Sequence, residues 1–183
     1  MVGAGVVALL LILSLFGGQL MRQGNVRPGL NREGPVALAP DDGQETISVG
    51  AEHEPYSTVP ATSGPHWSVN FGTEGAPYGA PVRWGIWEEA LPDEVLVANL
   101  KWGGIGLHYD CQDGCDETVD ALRDVVPVNQ ELFVMSPYPG LPARIAVTAW
   151  RHIMYLDEVD VERIREFEGE YKDRAPETVI TDR

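Results

Sequence analysis

Apolar residues fall along the chain in three regimes: one unbroken run, one long stretch without period, and a series of short runs with strand or helix spacing. From Val2 to Met21 no residue is charged and only Ser14 and Gln19 are clearly polar, so the run matches the roughly 20 residues a helix needs to cross a bilayer. This predicts a retained transmembrane anchor over residues 1–21. A cleaved signal peptide is the alternative, but MVGAGVVALLLILSLFGGQLMR shows neither a basic n-region nor an evident small-residue cut site. Residues 22–44 are rich in Gly, Pro and Asn with no sustained period, which predicts a tether, either a plain spacer or a segment lying along a neighbouring surface.

The body is expected over residues 45–183. ETISVG is a candidate first strand, and residues 52–87 are too dense in Pro and Gly for long regular elements. Trp67, Phe71, Tyr78, Trp84 and Trp87 in that stretch either pack the loop or form a ligand-binding aromatic surface. Val95–Leu100 and Ile105–Tyr109 read as two strands broken by Gly103 and Gly104. Asp116 is a candidate N-cap for a short helix with Val119, Leu122 and Val126 on one face. Leu132–Met135 and Ile145–Trp150, the latter extended toward Tyr155, read as further strands. A last helix is capped by Asp157 or Asp160 and carries Val161, Ile164, Phe167 and Tyr171 as its apolar stripe. The order predicts an α+β fold, a small mixed or antiparallel sheet with two flanking helices, preceded by one transmembrane helix.

Charge narrows the partners. Every acidic residue lies at Glu33 or later, and beyond Arg32 the 28 acids face 10 bases, a net charge of −18. Such a surface repels phosphate backbones, which excludes nucleic acid and favours a basic partner protein or simple solubility. Arg22, Arg27 and Arg32 follow the apolar run, and the positive-inside rule taken alone would leave the body in the cytoplasm. Two cysteines without a redox CxxC motif weigh toward the other side. The expectation is a single-pass protein of the inner (cytoplasmic) membrane with its body on the periplasmic or extracytoplasmic side.

Candidate chemistry is sparse. The soft or borderline metal ligands are His53, His66, His108, His152, Cys111 and Cys115. His66, His108, Cys111 and Cys115 form the one set with a spacing that admits copper, zinc or iron, although that spacing is not diagnostic. A Cys111–Cys115 disulfide in an oxidising compartment is the simpler account, with free thiols a third. Neither a nucleophile elbow nor a phosphate-binding Gly loop is present. Ser63 and His66, three apart in a Pro-Gly loop, form a weak nucleophile–base constellation without an orienting carboxylate.

PATSGPHW, GAPYGAPV, LKWGGIGLHYDC, TAWRH and FEGEYKDRAPE occur in an order that resembles the bacterial domain-of-unknown-function 3105 family, over Glu52 to Glu177. That resemblance implies a membrane-anchored or exported protein with a His-x-Leu-Glu-His-Gly segment that looks like a metal or catalytic cluster. Here the matching positions are Ala98, Asn99, Leu100, Lys101, Trp102 and Gly103, so both histidines and the glutamate are absent. Ala98 cannot coordinate, Lys101 reverses a charge, and Trp102 is a bulky donor-only ring. The expectation is a non-catalytic accessory subunit without cofactor, with Lys101 and Trp102 as candidate partner-binding residues. Its partners would be subunits of a larger membrane complex, respiratory or photosynthetic, with residues 2–21 in the lipid bilayer. A metal-binding or redox domain is the alternative.

Overall fold

The computed structural model describes residues 35–110 and 115–177. Its centre is the strand β5 (Ile105–Tyr109), whose sequence I-G-L-H-Y sends large apolar side chains to one face and small or polar ones to the other. Around it lie β1 (Ala37–Leu38), β4 (Gly85–Ile86), β6 (Phe133–Pro137), β7 (Ile145–Ala149) and β8 (His152–Leu156), in the sheet order β1-β8-β7-β5-β6-β4. β4, β6 and β5 are mutually parallel, whereas β7, β8 and β1 each run antiparallel to their neighbour. β2 (Thr46–Ile47) and β3 (His66–Trp67) form a separate parallel pair, so only two residues of the expected first strand are extended in a ladder.

Among the described residues three helices accompany the mixed sheet where two flanking helices were expected. The surplus one is α1 (Asp93–Lys101), which replaces the strand predicted over Val95–Leu100. All six residues from Val95 to Leu100 are buried, so the run shows no helical period. Its ends are nonetheless helical in character: Asp93 and Glu94 occupy the first turn and Lys101 the last, in line with the helix dipole. The two glycines are its stop rather than a strand turn. Gly103 sits at φ +81, and Gly103 N–H and Gly104 N–H donate to the Leu100 and Asn99 carbonyls at 2.9 and 3.1 Å.

α2 (Asp116–Val125) is the crossover between β5 and β6, with Cys115 at the N-cap position and Asp116 already the first helical residue. The strand predicted to run from Ile145 toward Tyr155 is instead the hairpin β7–β8, turned at Trp150 and Arg151, with Arg151 in the left-handed region at φ +59. α3 (Val161–Tyr171) is capped by Asp160, whose carboxylate accepts from Arg163 N–H at 3.1 Å. Ile164 and Phe167 enter the core, Tyr171 stacks on His152 at 4.1 Å, and Val161 remains half in solvent.

The main core joins Ile105, Leu107, Phe133, Met135, Val147 and Met154 of the sheet to Leu122 of α2 and Phe167 of α3. α1 and the Pro/Gly-rich stretch contribute to a second cluster with Trp67, Val82, Val95, Leu96 and Val134. The buried polar residues, the polar layer of this fold, include Ser63, His66, Asn99, His108, Ser136 and Thr148.

The anchor expected over 1–21 and the first part of the 22–44 tether lie outside the described residues. Among the described residues no helix is long and apolar enough to cross a membrane. Residues 37–42 are joined to the body: β1 pairs with β8, Ala39 N–H donates to the Arg151 carbonyl at 2.8 Å, and the Asp42 carboxylate accepts from Ser57 N–H at 2.8 Å and its hydroxyl at 2.6 Å.

Candidate functional site

The polar layer has a centre at each end of α1. At the C-terminal end, His66 is buried on β3 and bonds through Nδ1 to the Gly64 carbonyl at 3.0 Å. A carbonyl only accepts, so Nδ1 carries the hydrogen and Nε2 keeps its lone pair. The Lys101 ammonium, a donor only, stands 3.2 Å from Nε2 and 2.9 Å from Glu177 Oε1. Burial pushes the His66 pKa down, opposed by the Gly64 hydrogen bond and reinforced by the Lys101 charge, so the ring is neutral.

Gly64 makes this approach possible. At φ +124 it holds a turn that side chains rarely adopt, and a Cβ there would stand 2.8 Å from the Tyr56 ring. The chain after α3 then closes over the helix end. Asp173 N–H donates to the Gly103 carbonyl at 2.9 Å and Glu177 N–H to the Lys101 carbonyl at 3.1 Å.

At the N-terminal end, Asp93 accepts from Ala61 N–H at 3.1 Å and from the Tyr138 hydroxyl at 2.8 Å. Burial raises the Asp93 pKa against those two hydrogen bonds, and burial together with the Asp93 charge raises that of Tyr138, which stays a donor. His53 Nε2 lies 3.3 Å from Glu94 Oε1. In the last turn of α1, the Asn99 side chain accepts from Val82 N–H and donates to the Val82 carbonyl, both at 2.9 Å, pinning the Pro/Gly-rich stretch to α1. His108 faces this layer from β5, bonded through Nδ1 to Ser136 Oγ at 3.0 Å, and its ring meets that of Tyr138 edge-on. Burial lowers its pKa to about 4.

The profile of a family described as "Protein of unknown function (DUF3105)" matches residues 50–183. The chain belongs to that family. The matched span of this DUF3105 protein contains both centres, from His53 to Glu177. No curated protein and no solved structure matches the chain.

The residues singled out in the DUF3105 sequence are dispersed. Ser63 Oγ accepts from Asp42 N–H at 3.1 Å and donates to the Pro40 carbonyl at 3.4 Å, so its hydrogen bonds run to the N-terminal segment and not to His66. Of the proposed metal set, His66 and His108 hold separate partners, Cys115 precedes α2 and is not a free thiol, and Cys111 lies outside the described residues. Among the described residues no three His, Cys, Asp or Glu side chains converge as a metal site would require. Lys101 points into the centre, while Trp102 is 38% exposed beyond the helix end. Phe71 is 90% exposed beside a groove of about 290 Å³ lined by Pro77, Tyr78 and Trp87.

Sequence reasoning missed Asp93, Asn99, Tyr138 and Glu177 as members of these centres. Their partners lie 17 to 76 residues away in sequence, and no local spacing marks them. A helical reading of residues 93–101 would have placed Asp93 at the first turn and Ala98, Lys101 and Trp102 on one face.

Proposed function

We propose that this DUF3105 chain is a non-catalytic accessory or structural subunit of a larger membrane complex, anchored by residues 2–21 with its body on the extracytoplasmic side. The observation that carries this reading is Lys101. Its ammonium fills the centre between His66 and Glu177, where the family resemblance would put a ligating or proton-transferring carboxylate. A filled and internally paired centre supports the fold; the exposed Trp102 and the Phe71 groove are candidate surfaces for contact. Mild-detergent purification from the native membrane tests this. Stoichiometric co-migration with integral membrane subunits, weakened by Trp102→Ser or Phe71→Ser, is the expected result; a chain that leaves the membrane alone as a monomer would sink the idea.

A second reading rests on Cys115. It stands at the N-cap of the ten-residue α2, in a β5–α2–β6 parallel unit. Helix N-termini favour thiolate, and thioredoxin-like motifs sit beside such units, although the pair here has three intervening residues and not two. The bridging partner we infer is Cys111. A reduction potential below about −300 mV would mark a structural bridge, and one near −200 mV a redox-active pair.

A further inference from the structure

We propose that the groove beside Phe71 is a binding site for a small quaternary-ammonium cation of the choline type. This goes beyond the subunit reading, because it concerns a small ligand and holds whether or not the domain docks on a partner.

The Pro/Gly-rich stretch builds the site. The Val69–Ala80 bridge, with hydrogen bonds of 3.1 and 2.9 Å, closes residues 70–79 into a loop. Gly79 lets that loop close tightly, since a Cβ there would stand 3.0 Å from Phe71 N. Phe71 thereby reaches the groove with its side chain in solvent, in company with Tyr78 and Trp87. The Tyr78 and Trp87 rings meet at 83° with centroids 6.1 Å apart, so they form two walls of a corner.

Three properties of the lining select a quaternary cation. First, aromatic faces attract cations, and Trp87 already holds one: the Arg83 guanidinium carbon lies 5.2 Å from its ring centroid. With Arg83 in place the groove still encloses about 290 Å³, which suits a small ligand. Second, Glu89 lines the groove and Glu88 adjoins it, both exposed, on a body where 28 acids face 10 bases beyond Arg32. Anions are repelled from such a site and cations drawn to it.

Third, the rings offer little to a primary ammonium. Trp87 Nε1–H donates to the Arg83 carbonyl at 3.2 Å. Desolvation, reinforced by the Glu89 carboxylate, raises the Tyr78 pKa, so that hydroxyl stays a donor. A primary ammonium brings three N–H groups that need acceptors, whereas a quaternary one brings none and presents methyl groups to the rings.

The test uses the full chain in maltoside detergent, titrated by calorimetry with choline and with its neutral carbon isostere 3,3-dimethylbutan-1-ol. Choline is expected to bind saturably and about fivefold more tightly than the alcohol, or better, the ratio that one cation–π contact of about 1 kcal/mol gives. Trp87→Leu keeps an apolar wall and removes the indole face, so it is expected to lower that ratio toward one. Wild type that binds the alcohol as tightly as choline, or shows no saturable choline binding, overturns the proposal, and so does a folded Trp87→Leu variant with an unchanged ratio. Should that variant not fold, Glu89→Gln at the exposed rim decides: a ratio lowered about twofold or more supports the proposal, and an unchanged one overturns it. Repeating the choline titration in bilayers distinguishes the two sources of such a cation. Full binding heat in phosphatidylcholine bilayers assigns a soluble cation, and heat present in phosphatidylglycerol but absent in phosphatidylcholine bilayers assigns a lipid headgroup; either result supports the proposal. None of these outcomes depends on whether the chain co-migrates with a partner.

Discussion

Asn99 meets two backbone groups of one residue with a single side chain. Its amide reproduces the donor and acceptor of a neighbouring strand, satisfying both backbone groups of buried Val82. Asn99→Ala leaves both unpaired, at a cost of about 1–3 kcal/mol for each group, and the loss is read as a lower midpoint in urea with an unchanged slope. His108 makes stability depend on pH. Its usual pKa of 6.5 falls to about 4 on burial, so between those values the unfolded chain takes up a proton that the folded chain does not. Stability is therefore full above pH 6.5 and is lost as pH falls toward 4, by about 3 kcal/mol for this group. His66 acts in the same direction, while His53, raised by its hydrogen bond to the Glu54 carbonyl and by Glu94, opposes it. Urea unfolding at several pH values should show a shallower acid slope for His108→Gln than for wild type.

Among the elements, α3 contributes Ile164 and Phe167 to the main core. Phe167 is buried against the sheet, and Phe167→Ala should cost about 3–5 kcal/mol, measured by chemical unfolding. Val161→Ala, on the same helix but half in solvent, should change stability by less than about 0.5 kcal/mol. α3 was legible in the sequence because one side faces water, so apolar residues recur at helical spacing between charges. β5 was legible for a related reason, since its two covers differ in chemistry. α1 was not legible. It is buried along its whole apolar run, and buried helix and buried strand look alike without a polar face. The hairpin at Arg151 was hidden because its turn contains no Gly, Asn or Asp, the residues that usually adopt positive φ. The identity of residues 93–101 as a helix, and the long-range partners Tyr138 and Glu177, needed the tertiary fold.

Taken as a whole, the molecule is an acidic α+β domain, and both ends of its sheet are closed by strands of two residues, β1 and β4. Sheet edges recruit other chains when long and bare, and very short edge strands are one way proteins avoid this. The consequence falls on β1. Read from composition, Ala37–Leu38 belongs to a tether that a biochemist would trim to obtain a soluble domain starting near Glu45. Trimming there strips the neighbour from His152 and Ile153 of the five-residue β8 and lengthens the bare edge of that strand. A version beginning at Glu45 should self-associate through β8, seen as concentration-dependent dimers or larger species by light scattering, and one beginning at Asn31 should not. On that prediction, the segment that leads toward the apolar run also guards the sheet edge at His152 and Ile153.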